Sequence, residues 1–112
     1  MAEFSKSERA ELRRLAALAY ERELGVELAE LDKAFSEWRQ DRLLSTELSA
    51  AIHEFHQHAA RDIWSTYRRL HASLLVARAL AEGILTEQDL PTALREKFGG
   101  SASRVAGASD DP

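Results

Sequence analysis

Apolar residues recur along most of this chain at the spacing of an α-helix. A first stripe, at i, i+3, i+4 and i+7, consists of Leu12, Leu15, Ala16 and Ala19. A second stripe with alternating spacings of four and three consists of Leu24, Leu28, Leu31, Phe35 and Trp38. Glycine and proline, the strongest breakers of regular structure, are absent from the 57 residues between Val26 and Glu82. The pattern predicts an all-α domain of three to five helices.

The first helix is expected to begin after Ser5, because Ser5 and Glu8 have the spacing of a capping box. Gly25 is a natural helix stop, and the apolar stripe changes phase close to it. Two interpretations compete: a break at Gly25, or one longer helix that tolerates an interior glycine at a cost of about 1 kcal/mol. We favour a break or a bend.

The longest apolar pattern runs from about Thr46 to Glu82 and predicts one long helix around which the domain is built. Ser45 or Thr46 would cap its start, and Glu47 would lie in its first turn. A second stripe beside the main one makes this helix apolar over more than half of its circumference, so two sides need to be covered. A chain this short can cover one of them. We therefore predict a homodimeric bundle whose interface includes Trp64, Tyr67, His71 and Leu75.

Gly83 is expected to end the long helix, and Thr86 to cap a new start with Asp89 at the third helical position. A short last helix would run to Phe98. We predict a single all-helical domain over residues 1–98. Residues 99–112, rich in Gly, Ala, Ser and Asp, are expected to form a disordered tail.

Composition excludes several classes of function and site. The net charge of −4 and the scattering of arginines among glutamates argue against a nucleic-acid binder, which usually carries a basic stripe. Without cysteine, the 112 residues have no disulfide, thiolate nucleophile or cysteine-based metal site. The first residues lack a signal-peptide pattern, and no apolar window is long enough for a membrane span, so we expect a cytoplasmic protein. Twelve arginines against three lysines are typical of a GC-rich bacterial genome.

Three of the four histidines lie within six residues and form the one cluster that suggests chemistry. His53 and His56, three residues apart, could share a helix face and hold a divalent metal, while Glu54 and His58 form a second pair. The cluster fails sharper tests, because a zincin needs histidines four apart and a di-iron bundle needs Glu three residues before His. The favoured interpretation is structural, with these side chains on the rim of a packed helix.

The sequence therefore favours a small, non-catalytic interaction or regulatory module that acts through helix packing, with no cofactor and a second copy of the chain as its partner. The alternative is a metal-dependent enzyme or metal-binding protein that uses His53 and His56. A second alternative is a DNA-binding regulator, although the segment that would form its recognition helix is acidic or apolar.

Overall fold

The computed structural model describes residues 4–99 and confirms the all-α fold. The helices in chain order are α1 (Lys6–Arg39), α2 (Ser45–Glu54), α3 (Ala60–Arg69), α4 (Ala72–Ala81) and α5 (residues 92–99). A π-helical turn, Phe55–Ala59, joins α2 to α3, and a 3₁₀ turn, Glu87–Asp89, precedes α5. The predicted disordered tail lies, from residue 100 onward, outside the described residues.

Proximity of Cα atoms divides the chain into two compact units. One unit, Tyr20–Arg69, comprises the second half of α1 together with α2, the π-turn and α3. We call it the hairpin. The other, which we call the core unit, comprises residues 4–19 and 70–99 of the described chain, with the first half of α1, α4 and α5. The single domain predicted for residues 1–98 stays a prediction.

Helix α1 begins as predicted. The backbone N–H of Ser5 donates to Glu8 Oε1 at 2.8 Å, and the N–H of Glu8 donates to Ser5 Oγ at 3.1 Å, which completes the capping box. The predicted break at Gly25 is wrong, because α1 is one continuous helix of 34 residues from Lys6 to Arg39. The change of apolar phase is real, but it marks a change in the face that α1 uses. Residues up to Ala19 bury one face in the core unit, and residues from Tyr20 onward pack within the hairpin.

Helix α1 ends at Arg39, close to Arg42, where the second apolar stripe stops, and a turn follows. Asp41 has a left-handed backbone (φ 60°). The N–H of Asp41 donates to Trp38 O, and the N–H of Arg42 donates to Glu37 O. These two bonds form a Schellman motif with aspartate at the position that usually holds glycine. Helix α2 then begins at Ser45, with Leu44 rather than Ser45 or Thr46 as the N-cap residue.

The prediction of one long helix from Thr46 to Glu82 is also wrong. The chain is helical from Ser45 to Arg69 and again from Ala72 to Ala81, with His71 in an extended conformation between them (ψ 152°). The long helix of this fold is α1. Within the core unit, α4 buries Leu75, Val76 and Ala79. No glycine or proline marks this break in the sequence.

Two element ends in the core unit lie where the sequence predicted them. Gly83 (φ 77°) ends α4 in a Schellman motif, in which the N–H of Ile84 donates to Ala79 O and that of Gly83 to Leu80 O. Thr86 then caps the 3₁₀ turn, and its N–H donates to Asp89 Oδ2 at 2.8 Å. The unit buries side chains from α1, α4, α5 and the turns between them: Leu12, Leu15, Ala16, Ala19, Leu75, Val76, Ala79, Leu85, Leu90, Leu94 and Phe98.

Candidate interaction surface

The hairpin is an antiparallel pair of helices fastened at both ends. At the closed end, Trp38 Nε1 donates to Ser45 Oγ at 3.0 Å. At the open end, the rings of Tyr20 and Tyr67 stack with their centroids 4.8 Å apart and 8° between their planes. The hydroxyl of Tyr67 donates to Glu23 Oε1 at 2.9 Å. Residues around 20 and 67 therefore lie at the same level of the hairpin.

The π-turn alters the helix that runs opposite α1. It inserts a wider turn into an otherwise α-helical stretch, and the N–H of Ala60 donates to Phe55 O, five residues back. His56 and Gln57 thereby line one side of the hairpin, whereas Phe55, His58 and Ala59 line another. Single π-turns within α-helices are frequent at functional sites. Sequence periodicity gave no sign of this one.

One groove of the hairpin is mainly apolar with a cationic rim. We call it the tryptophan groove. It has a volume of about 370 Å³ and is lined by Tyr20, Leu24, His56, Gln57, Ala60, Arg61 and Trp64. Trp64 is 49% exposed, and the guanidinium of Arg68 lies 4.7 Å from the centroid of its ring. Leu28 and Ile52, one helical turn beyond Leu24 and before His56, are also exposed and extend the apolar surface.

A second groove is acidic. Its volume is about 330 Å³, and it includes the side chains of Glu27, Glu30 and Glu54 together with apolar residues such as Leu31 and Phe55. The tryptophan groove carries Arg61 and has Arg68 beside it, so the two grooves differ in the sign of their charge. Because unlike charges attract across an interface, the grooves are suited to different partner surfaces.

The histidine cluster does not converge on a metal site. His53, His56 and His58 are all exposed, and His58 Nε2 lies 3.7 Å from Glu54 Oε2. Across residues 4–99, no group of three His, Asp or Glu side chains is placed to hold a metal ion. A metal held by His53 and His56 would need its other ligands from outside the described chain, since a bound metal usually takes at least three protein ligands.

The four residues predicted at the interface occupy different surroundings. Trp64 and Tyr67 belong to the hairpin, and Tyr67 is half-buried in its stack with Tyr20. His71 and Leu75 belong to the core unit. His71 is exposed beside a cavity of about 320 Å³ that Arg9 and Arg13 also line, whereas Leu75 is 4% exposed and is held in the core. Of the two aromatic residues in the set, Trp64 is the more exposed.

No known protein family, curated protein or solved structure matches the chain. None of the helices between residues 4 and 99 combines the length and the apolar character that crossing a membrane requires.

Proposed function

We propose that this protein is a non-catalytic interaction module that works as a homodimer through its hairpin. The observation that carries the proposal is the contrast in burial between the two units. Of thirteen buried apolar side chains among the described residues, the hairpin contributes only Leu48 and Ile63. It carries six of the seven large apolar side chains that are exposed: Val26, Leu28, Trp38, Leu44, Ile52 and Trp64.

Covering this surface would be favourable. Each Å² of apolar surface removed from water contributes roughly 25 cal/mol, and an amphipathic ring such as that of Trp64 contributes a large area. Monomeric proteins rarely expose a contiguous apolar patch larger than a few hundred Å², and larger patches often mark interaction sites. The exposed residues around the tryptophan groove come from both helices of the hairpin, so one partner surface can cover them together.

The dimensions of the hairpin fit a dimer interface. The helical stretch opposite α1, from Ser45 to Arg69, is about 37 Å long at 1.5 Å per residue. Two helices side by side are about 18 Å wide. One face thus offers roughly 700 Å² per copy, close to the ~800 Å² per partner of a standard interface. A second copy of the hairpin presents a face of the same length that is also formed by two helices.

The test is the mass of the purified chain in solution, measured by size-exclusion chromatography with light scattering over a range of concentrations. We expect twice the monomer mass of 12.5 kDa at micromolar concentration and above. Trp64→Ser should shift the equilibrium toward the monomer. Val26→Ser is the matched control, because Val26 is 63% exposed but lines neither groove. A wild-type chain that stays monomeric up to ~100 μM, a concentration far above typical homodimer dissociation constants, would refute the proposal.

A further inference from the structure

The tryptophan-groove face of one hairpin can meet that of a second copy in two symmetric ways. In the first, the two-fold axis lies across the helices, and each helix meets its own counterpart. In the second, the axis runs parallel to the helices, so α1 of each copy lies over α3 of the other. Both arrangements are isologous and closed, so symmetry alone does not choose between them.

Charge distinguishes the two arrangements. Among the acidic side chains in residues 20–32 of α1, Glu21 and Asp32 neither line the acidic groove nor bond Tyr67, whereas α3 carries three arginines and one aspartate. If like helices met, the two acidic segments would lie against each other. If α1 met α3, an acidic segment would lie against a basic one on each side of the two-fold axis. Juxtaposed like charges disfavour an arrangement, and complementary charges fix the register.

The level of each residue along the hairpin adds a specific pair. The stack of Tyr20 on Tyr67 places Glu21 and Arg68 at the same height. Rotation about an axis parallel to the helices preserves height, so Glu21 of one copy comes level with Arg68 of the partner subunit, and Arg61 lies two helical turns from Arg68 on the same side of α3. Glu21 and Arg61 are exposed, and neither has a hydrogen-bonding or ionic partner within residues 4–99.

We propose that the second copy docks on the tryptophan groove with its α1 over α3, so that Glu21 faces the arginines at positions 61 and 68 across the two-fold axis. Neighbouring helices are antiparallel in both arrangements, so the helix dipoles favour neither and the charged side chains make the choice. This inference rests on the proposed self-association. It adds the surface, the direction of packing and the side chains that select it.

Cross-linking tests the direction of packing, and the absence of native cysteine makes it clean. Chains with Glu21→Cys and chains with Arg68→Cys are mixed and treated with a short bis-maleimide, and Leu28→Cys is treated alone. We expect cross-linked heterodimers in the mixture and little cross-linking between two copies of the Leu28→Cys chain. Efficient cross-linking through position 28 with none between positions 21 and 68 would show that like helices meet and would overturn the inference.

Reciprocal charge reversal tests the role of the side chains. Glu21→Arg alone, and Arg61→Glu with Arg68→Glu, should each weaken dimerisation about tenfold, and an equimolar mixture of the two variants should recover most of the loss. Glu54→Arg, which alters the acidic groove, is the control and should leave the dissociation constant within about threefold of wild type. A dimer that is indifferent to both reversals refutes this inference but leaves the proposed function intact. A monomeric wild type refutes both.

Discussion

The core unit and the hairpin are similar in size but keep their apolar side chains in opposite places. The core unit buries eleven of them, drawn from three helices and two turns, and exposes one large one, Leu74. The hairpin buries two and exposes six. Two helices that pack only on each other bury one apolar stripe on each helix, whereas three helices can surround a buried apolar core. The comparison shows that the core unit encloses most of its apolar side chains, whereas the hairpin leaves most of its large ones exposed.

The largest expected effect comes from a cavity in the core unit. Leu15 is 0% exposed, so Leu15→Ala should lower the free energy of unfolding by about 3–5 kcal/mol. Leu28→Ala is the matched control on the same helix, since Leu28 is 46% exposed, and it should change the monomer's stability by less than about 0.5 kcal/mol. Urea denaturation of both variants at low protein concentration measures this difference. Equal losses would show that the two units are packed alike.

The same substitution in the two units should have effects of opposite sign. Gly83 has a φ of 77°, a conformation that costs a residue with a Cβ about 1–2 kcal/mol, so Gly83→Ala should destabilise the chain. Gly25 lies inside α1 with open space where a Cβ would be, so Gly25→Ala should stabilise it by about 0.5–1 kcal/mol. The measurement is the melting temperature of each variant relative to wild type, which should fall for Gly83→Ala and rise for Gly25→Ala. A loss at position 25 would mean that α1 needs its glycine.

The smallest effect concerns pH and is confined to the core unit. Lys97 donates to Glu8 Oε1 at 2.9 Å, and this bond, with the N–H of Ser5, holds the pKa of Glu8 below its ordinary value. A carboxyl whose pKa is lower in the folded state stabilises the fold above its unfolded pKa, and that stabilisation is lost as pH falls through the folded value.

Glu8→Gln should therefore be less stable than wild type at neutral pH, and the two should converge in acid. Denaturation at a series of pH values between 7 and about 2.5, which brackets the ordinary carboxyl pKa, provides the measurement. A difference that stays constant across this range would mean that the charge of Glu8 contributes nothing. Glu11→Gln is a suitable control, because the partner of Glu11, Arg14, lies on the same exposed surface of α1.

Sequence predicted best where one residue determines one local geometry. Ser5 with Glu8, Gly83, and Thr86 with Asp89 each fixed the end of an element through a bond that needs only neighbouring residues. It failed at Gly25 and at His71, because those outcomes depend on distant packing. At Gly25 the cost of glycine is small against the contacts of both halves of α1. At His71 a helix is interrupted so that Leu75 and Val76 can be buried.

The exposed apolar surface of the hairpin was predictable only in part. The second apolar stripe includes both Trp64, which is 49% exposed, and Leu75, which is 4% exposed and enclosed in the core unit, and the predicted interface itself stays a prediction. The difference in charge between the two grooves could not be read from the chain, since it arises when α1 lies beside α2, the π-turn and α3. The π-turn was invisible because its residues, Phe55 to Ala59, are compatible with an ordinary α-helix.

That π-turn makes the surface sensitive to local backbone geometry as well as to side-chain chemistry. A π-turn takes up one more residue than an α-turn, so if Phe55–Ala59 adopted regular α geometry with no residue lost, α3 would turn relative to α2 by up to about 100°, the rotation of one residue. Trp64, Arg61 and Arg68 would then rotate together away from their groove without any of them being changed. The geometry of one turn, as much as the identity of these side chains, sets the direction in which the aromatic and cationic surface faces.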